Sequence, residues 1–303
     1  MAIAGPERRV LTLRDGRALE YVAAGAGVGP VVVFHHGSPG SSFAPSGLLD
    51  AATARGLRIV AASRPGYGGS SRDEGRSVAA VASDTAELLD ALGVDRFATA
   101  GWSGGGPHAL ACAALLPERC VAALCVAGVA PYLPGEFDWT EGMGPENVEE
   151  FRLGLEAGPA YDESLAGLRE HLVSLPSAEV RSAREVFGGL VSDVDEAAST
   201  PESVAFVVDN IAHGLAPGIE GWRDDDQSFL HDWGFDVRTN TVPVGVWFGD
   251  EDLMVPARHG EWLGANVAGA KVGRFPDDGH LSIVEGRYCG ILDGLLALAG
   301  GRW

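Results

Sequence analysis

Lysine is almost missing from this chain. Lys271 is the only one in 303 residues, and Lys and Arg together number 22 against 42 Asp and Glu, a formal net charge of −20. So little positive charge argues against nucleic acid and against anionic membrane surfaces as partners. Long apolar runs are missing too. The most apolar stretch, 121–130, is far shorter than the roughly 18 residues a membrane-spanning helix needs, and the charge-free stretches 21–49 and 97–117 are interrupted by Gly, Ser, Pro and His. No charged-then-apolar leader opens the sequence, because Glu7, Arg8 and Arg9 break it early. Cysteine is scarce: Cys112, Cys120, Cys125 and Cys289 have no C-x-x-C spacing and no paired histidines. That excludes a zinc ribbon or a disulfide framework and reads as free thiols in a reducing cytoplasm. What is present, 46% apolar and 21% charged residues, suits a globular chain with a sizeable core and excludes a disordered one.

The apolar pattern has an order. Residues 10–13 and 19–23 read as a hairpin around Arg14-Asp15-Gly16, and 31–34 is a continuous, mostly β-branched run, as in a strand buried on both faces. A helix is expected near 47–54, a strand at 58–62, and a helix at 78–92 with Val81, Thr85, Leu88, Leu89 and Leu92 on one face. Strand 96–100, helix 107–116 and strand 121–127 follow. This alternation predicts an α/β fold: a mostly parallel central sheet flanked by helices. From Pro131 the pattern changes to amphipathic helices with no strand among them, marked by Val148, Phe151, Leu155; by Leu165, Leu168, Leu172; and by Val204, Val208, Ile211, Leu215. Strands return at 242–248 and 271–275, with helices at 261–267 and 283–298. The expected organisation is therefore a sheet domain in two parts, 1–130 and 241–303, interrupted by an all-helical insertion, 131–240. That insertion holds 23 Asp and Glu against six Arg. It is either a solvated helical surface or an acidic mouth for cationic substrates.

One pentapeptide, Gly101-Trp102-Ser103-Gly104-Gly105, has the form G-x-S-x-G. The letters alone are a weak signal; their setting between a strand and a helix is a strong one. The chemistry needs a serine on a sharp turn above the sheet, with small neighbours so that strand and helix approach closely. Gly104 places a backbone N–H beside the nucleophile, and Pro107 suits a first helical turn.

This setting resembles the nucleophile elbow of the α/β-hydrolase superfamily. Four more motifs extend the resemblance from about residue 10 to 290. His35-His36-Gly37-Ser38-Pro39-Gly40 resembles the HG-x-P oxyanion loop, and Arg64-Pro65-Gly66-Tyr67-Gly68-Gly69-Ser70 the R-P-G-x-G-x-S turn. Gly249 through Val255-Pro256 resembles the G-x-x-D-x-x-V-P acid loop, and Gly279-His280 the terminal G-H. The resemblance implies an α/β-hydrolase fold with a helical cap, no metal and no organic cofactor. It implies a catalytic serine, acid and histidine in that chain order: Ser103 as nucleophile, Asp252 as acid with Asp250 as fallback, and His280 as base. Asp277 and Asp278 read as turn formers. The backbone N–H groups of Ser38 and Gly104 would form the oxyanion hole, His35 and His36 would brace that loop, and Trp102 would either line the substrate pocket or simply pack.

A serine at the elbow argues against the aspartate chemistry of haloalkane dehalogenases and epoxide hydrolases. Hydrolysis of a small-molecule carboxylic ester is the leading expectation, with lactonase, thioesterase and perhydrolase variants using the same residues. Proline iminopeptidases, whose acidic caps hold a substrate amine, differ at three motifs: this chain has HGSPG, Ser63-Arg64-Pro65-Gly66 and Gly101-Trp102-Ser103-Gly104-Gly105 where they have HGGPG, D-Q-R-G and G-G-S-W-G. A third reading is a small-molecule receptor that keeps the triad but turns over slowly. The run from Asp224-Asp225-Asp226 to Trp233-Gly234-Phe235-Asp236 resembles the end of a cap, where the aspartates either anchor cap to core or are solvated. Oligomeric state is not legible.

Overall fold

In the computed structural model, which describes residues 6–303, the polar turn at Arg14-Asp15-Gly16 joins β1 (Arg8–Thr12) and β2 (Ala18–Gly25) as an antiparallel hairpin. Strand–helix alternation follows: β3 (Val31–His35), α1 (Ser46–Ala54), β4 (Arg58–Ala62), α2 (Ala80–Ala91), β5 (Phe97–Trp102), α3 (Gly106–Leu115) and β6 (Cys120–Val126). Six helices then intervene: α4 (Pro145–Glu156), α5 (Pro159–Ser174), α6 (Ala183–Phe187), α7 (Asp193–Ala198), α8 (Pro201–Gly214) and α9 (Glu220–Leu230). The chain returns to the sheet with β7 (Val244–Gly249), α10 (Ala257–Asn266), β8 (Lys271–Phe275) and α11 (Tyr288–Ala299).

The sheet order is β1-β2-β4-β3-β5-β6-β7-β8, antiparallel at β1–β2 and β2–β4 and parallel from β4 to β8. Central strands are almost wholly apolar, His35 and Thr99 excepted, because helices cover both faces. In β3, Val31 and Val33 pack into one layer with α2 and α3, while Val32 packs into the other with α1 and α11; Ala123 and Cys125 of β6 likewise oppose Ala122, Leu124 and Val126. The first layer continues into the inserted helices through Tyr161, Leu165 and Val208.

Two helices depart from their expected bounds. The last begins at Tyr288 rather than 283, because Gly286 sits at φ +71° and the residues before it are turns. The helix expected at 261–267 begins at Ala257, directly after its N-cap Pro256. The topology also fixes where chemistry can occur. From β3 the chain crosses to β4 on one side and then to β5 on the other, so the carboxyl ends of β3 and β5 flank a switch point where a crevice must open.

Candidate active site

Ser103 stands at that switch point, directly after β5, with φ +57°. A non-glycine residue in the left-handed region costs on the order of 1–3 kcal/mol and persists only when its surroundings force it. Here they do. A side chain at Gly101 would collide with the Gly105 carbonyl, and one at Gly105 with the His35 carbonyl. β5, α3 and the end of β3 therefore close on one another only with glycine at both places, and the turn lifts Ser103 out of the strand.

The loop after β3 lies against this turn. A side chain at Gly37 would meet Ser103 Cβ, and one at Gly104 would meet the Ser38 hydroxyl. Arg64, buried after β4, holds the loop: its guanidinium donates to the carbonyls of His36 and Gly37 and to Ser38 Oγ (2.8 Å). Its own amide donates to His36 Nε2 at 3.1 Å. His35 and His36 are fully buried and held well below the ordinary histidine value, by burial first and by neighbouring positive groups second. Both stay neutral and brace the loop.

His280 follows β8 and Asp252 follows β7. Asp252 Oδ1 accepts the amides of Met254 (2.8 Å) and Val255 (2.7 Å), which leaves Oδ2 to accept His280 Nδ1–H at 2.8 Å. Both are buried. Burial disfavours an imidazolium at His280, yet the charge and hydrogen bond of Asp252 outweigh it, Asp195 adds its charge, and the His280 pKa rises above the usual 6.5. Burial raises Asp252, against the pull of His280 and of the Val255 amide.

Trp102 follows the packing reading rather than the pocket-lining one. It does not line the cavity above Ser103. Its ring packs 5.2 Å from that of His280, its Nε1–H donates to the His280 carbonyl at 3.1 Å, and with Phe34, Val126 and Tyr288 it lines a separate small pocket. It joins the elbow to the histidine loop. No hydrogen bond joins Ser103 Oγ to His280 among the described residues; such contacts are commonly long in empty sites and tighten on a ligand. Two of the other histidines have structural partners. His259 Nδ1 accepts the Ala130 amide and its Nε2 donates to the Trp139 carbonyl, with burial pushing it down to about 3; His213 pairs with Glu20. Asp250 pairs with Arg274 at the surface, and Asp278 with Arg287.

Above Ser103 a cavity of about 330 Å³ is walled by the inserted helices. Ser38, Ser103 and Gly104 line it from the sheet side, and Phe151, Leu172, Phe187 and Trp222 from the helices. Four carboxyls also line it, Glu146, Glu150, Glu185 and Asp226, together with Arg184 and His171; of the carboxyls, Glu150 and Asp226 are buried. Trp222 Nε1–H donates to Glu150 (2.8 Å) and the Tyr161 hydroxyl to Asp226 (2.5 Å). Burial pushes Glu150 up to about 7, and burial with the Glu150 charge pushes Asp226 well above the ordinary carboxyl range. Near neutral pH the pair thus retains a proton.

Neither sequence reading of the acidic insertion fits whole, because several of its carboxylates are buried in contacts. Asp225 accepts from Arg64 and Arg76 (both 2.6 Å), Tyr67 (2.9 Å) and Ser38 (2.5 Å). Burial works against its charge, but the two guanidiniums hold it well below the usual range. Asp224 pairs with Arg72 at 2.8 Å. The aspartate run therefore anchors helix α9 to the sheet, one of the two readings left open. Asp195 of α7, whose neighbours in sequence carry no signal, accepts from the His280 loop. A side chain's partner from a distant segment leaves no local pattern, so Glu150 and Asp195 were missed.

Among the described residues no group of three or more His, Cys, Asp or Glu could hold a metal ion, and no helix is long and apolar enough to cross a membrane. A family model described as alpha/beta hydrolase fold matches residues 30–287. The chain is similar to an uncharacterized hydrolase, YcgS, of Bacillus subtilis (strain 168): 35% identical over 116 residues, which span 37% of this chain and 39% of that protein. It is also similar to a non-heme haloperoxidase of Rhodococcus erythropolis, 25% identical over 284 residues, or 89% of this chain and 92% of the other. Among solved structures, an esterase from Exiguobacterium antarcticum superposes with a TM-score of 0.67 at 18% identity, covering 97% of this chain and 100% of that one. At that identity the likeness concerns the fold alone.

Proposed function

This chain belongs to the alpha/beta hydrolase fold family, and on that premise we propose that it is a serine hydrolase that cleaves a small-molecule carboxylic ester. The observation that carries this reading is the buried Asp252–His280 hydrogen bond, joined through Trp102 to a left-handed serine that opens into a mostly apolar cavity. In this reading residues 1–130 and 241–303 supply the catalytic core and 131–240 the cap that walls the cavity. Ser103 Oγ attacks the acyl carbon while His280 Nε2 takes its proton, and Asp252 fixes the imidazole with Nδ1 protonated. The carbonyl oxygen, now negative, receives hydrogen bonds from the amides of Ser38 and Gly104; each such donor is worth roughly 3–4 kcal/mol. Collapse breaks the bond to the alcohol oxygen, which takes the proton from His280. Water, deprotonated by His280, then attacks the acyl-serine; the bond to Ser103 Oγ breaks, Oγ takes the proton back from His280, and the acid is released.

The Glu150–Asp226 pair favours a second reading. A substrate amine above Ser103 would meet a carboxyl pair that is short of a counter-ion, as an aminopeptidase requires. One comparison separates the two: initial rates on a short-chain nitrophenyl ester and on a prolyl nitroanilide with a free amino group, with Ser103→Ala as blank. Fast ester turnover that vanishes in Ser103→Ala is the expected result. Preference for the anilide selects the second reading, and a Ser103→Ala protein with unchanged rates overturns the nucleophile assignment for both.

A further inference from the structure

Asp195 lies 85 residues before His280, on a helix of the insertion, and is wholly buried. Its carboxylate is occupied by the histidine loop. Oδ2 accepts the His280 amide at 2.9 Å; Oδ1 accepts the amides of Leu281 and Ser282, both at 2.8 Å, and the Ser282 hydroxyl at 2.9 Å. Ser282 Oγ in turn accepts the Gly279 amide at 2.7 Å. Four consecutive amides, from Gly279 to Ser282, are thus tied to one carboxylate, directly or through one hydroxyl. Residue 279 has to be glycine, because a Cβ there would come within 2.5 Å of Asp195 Oδ2.

A buried carboxylate is costly unless its lone pairs are filled, and three amides and a hydroxyl fill these. They also fix the backbone from which the imidazole projects. The His280 peptide is then held on both sides, its N–H by Asp195 and its carbonyl by the Trp102 indole, while Asp252 holds the ring. We propose that Asp195 is a positioning residue for His280: the insertion, through this one carboxylate, sets the histidine loop in its working conformation and adds negative charge beside the ring. The inference rests on the reading of His280 as the catalytic base.

The test is Asp195→Asn in the full chain, with folding checked by circular dichroism. Asn keeps the shape but turns one acceptor into a donor aimed at an amide, and removes the charge. The charged groups facing His280 are Asp252, from the loop after β7, and Asp195, from α7; Asp278 on its own loop is paired with Arg287, and Trp102 from β5 is neutral. Three results are expected. The plateau kcat on the nitrophenyl ester falls by about tenfold or more, with KM within about twofold, as for displaced catalytic geometry rather than lost binding. The His280 ring titration followed by NMR, and with it the acid limb of kcat, moves to lower pH. Ser282→Ala, which leaves the charge in place, lowers kcat by a smaller factor without moving the titration. A folded Asp195→Asn protein with wild-type kcat and an unmoved His280 titration overturns the proposal. If Asp195→Asn does not fold, Ser282→Ala decides: unchanged kcat overturns it. A wild-type protein inactive on both ester and anilide instead defeats the hydrolase reading, while the NMR titration still reports whether Asp195 acts on His280.

Discussion

Asp250 and Asp252 stand two residues apart on one turn, and their surroundings give them different work. Asp250 meets Arg274 at the surface, where an ion pair is worth at most about 1 kcal/mol. Asp252 is buried, with one oxygen filled by backbone amides and the other by His280. Asp252→Asn therefore lowers kcat by about 10⁴-fold, since an amide facing Nδ1 favours the wrong tautomer. Asp250→Asn leaves it within about twofold. Steady-state kinetics on the same ester checks the pair, and the reverse order would mean the other carboxylate is the partner. The pH dependence follows from His280. In the proposed mechanism His280 is the base and must be neutral; its pKa is raised above 6.5, so activity is expected to fall as pH drops through a limb lying above 6.5. The stability linkage has the opposite direction. The raised folded-state value favours the folded protein below the unfolded histidine pKa, and that contribution is lost as pH rises through the folded value. A kcat/KM limb below 6.5 contradicts the assignment of His280.

At the scale of elements, helix α9 is unusual in burying its charges. Asp224, Asp225 and Asp226 are all nearly inaccessible, and they turn to Arg72, to Arg64 with Arg76, and to Tyr161. The backbone comes close as well: a Cβ on Gly66 would lie 2.7 Å from Gly221 Cα. Asp225→Ala strands two buried guanidiniums and releases Ser38 of the loop after β3. It lowers unfolding stability by about 3–5 kcal/mol, measured in urea. A loss below about 1 kcal/mol would show that Asp225 does not hold the helix to the sheet. The aspartate run itself was visible in the sequence. Its partners were not, because Arg64 and Arg76 lie about 150 positions away and nothing in a helical period of 3.6 tells a buried charge from a solvated one.

For the molecule as a whole, the inserted helices and the sheet share one apolar cluster that runs from Val33 and Leu110 to Tyr161, Leu165 and Val208. Cooperative unfolding follows from a shared core. Far-UV circular dichroism and fluorescence from Trp139 and Trp222 in the insertion and Trp247 in β7 are expected to trace one coincident transition. Two separate transitions would show that the insertion folds on its own. The sheet and its order of elements were legible because the buried central strands are nearly continuous apolar runs, as at 31–34 and 121–126; the bounds at 58–62 and 271–275 needed no adjustment. The elbow was legible because close backbone approach leaves glycine no substitute. Short-range rules of this kind act within a few residues, so they survive in the linear pattern. The cavity, the side on which Trp102 packs, the Glu150–Asp226 pair and the grip of Asp195 on the histidine loop arise from side chains meeting across long separations. Those meetings depend on how the inserted helices seat over the switch point, and no local periodicity encodes that.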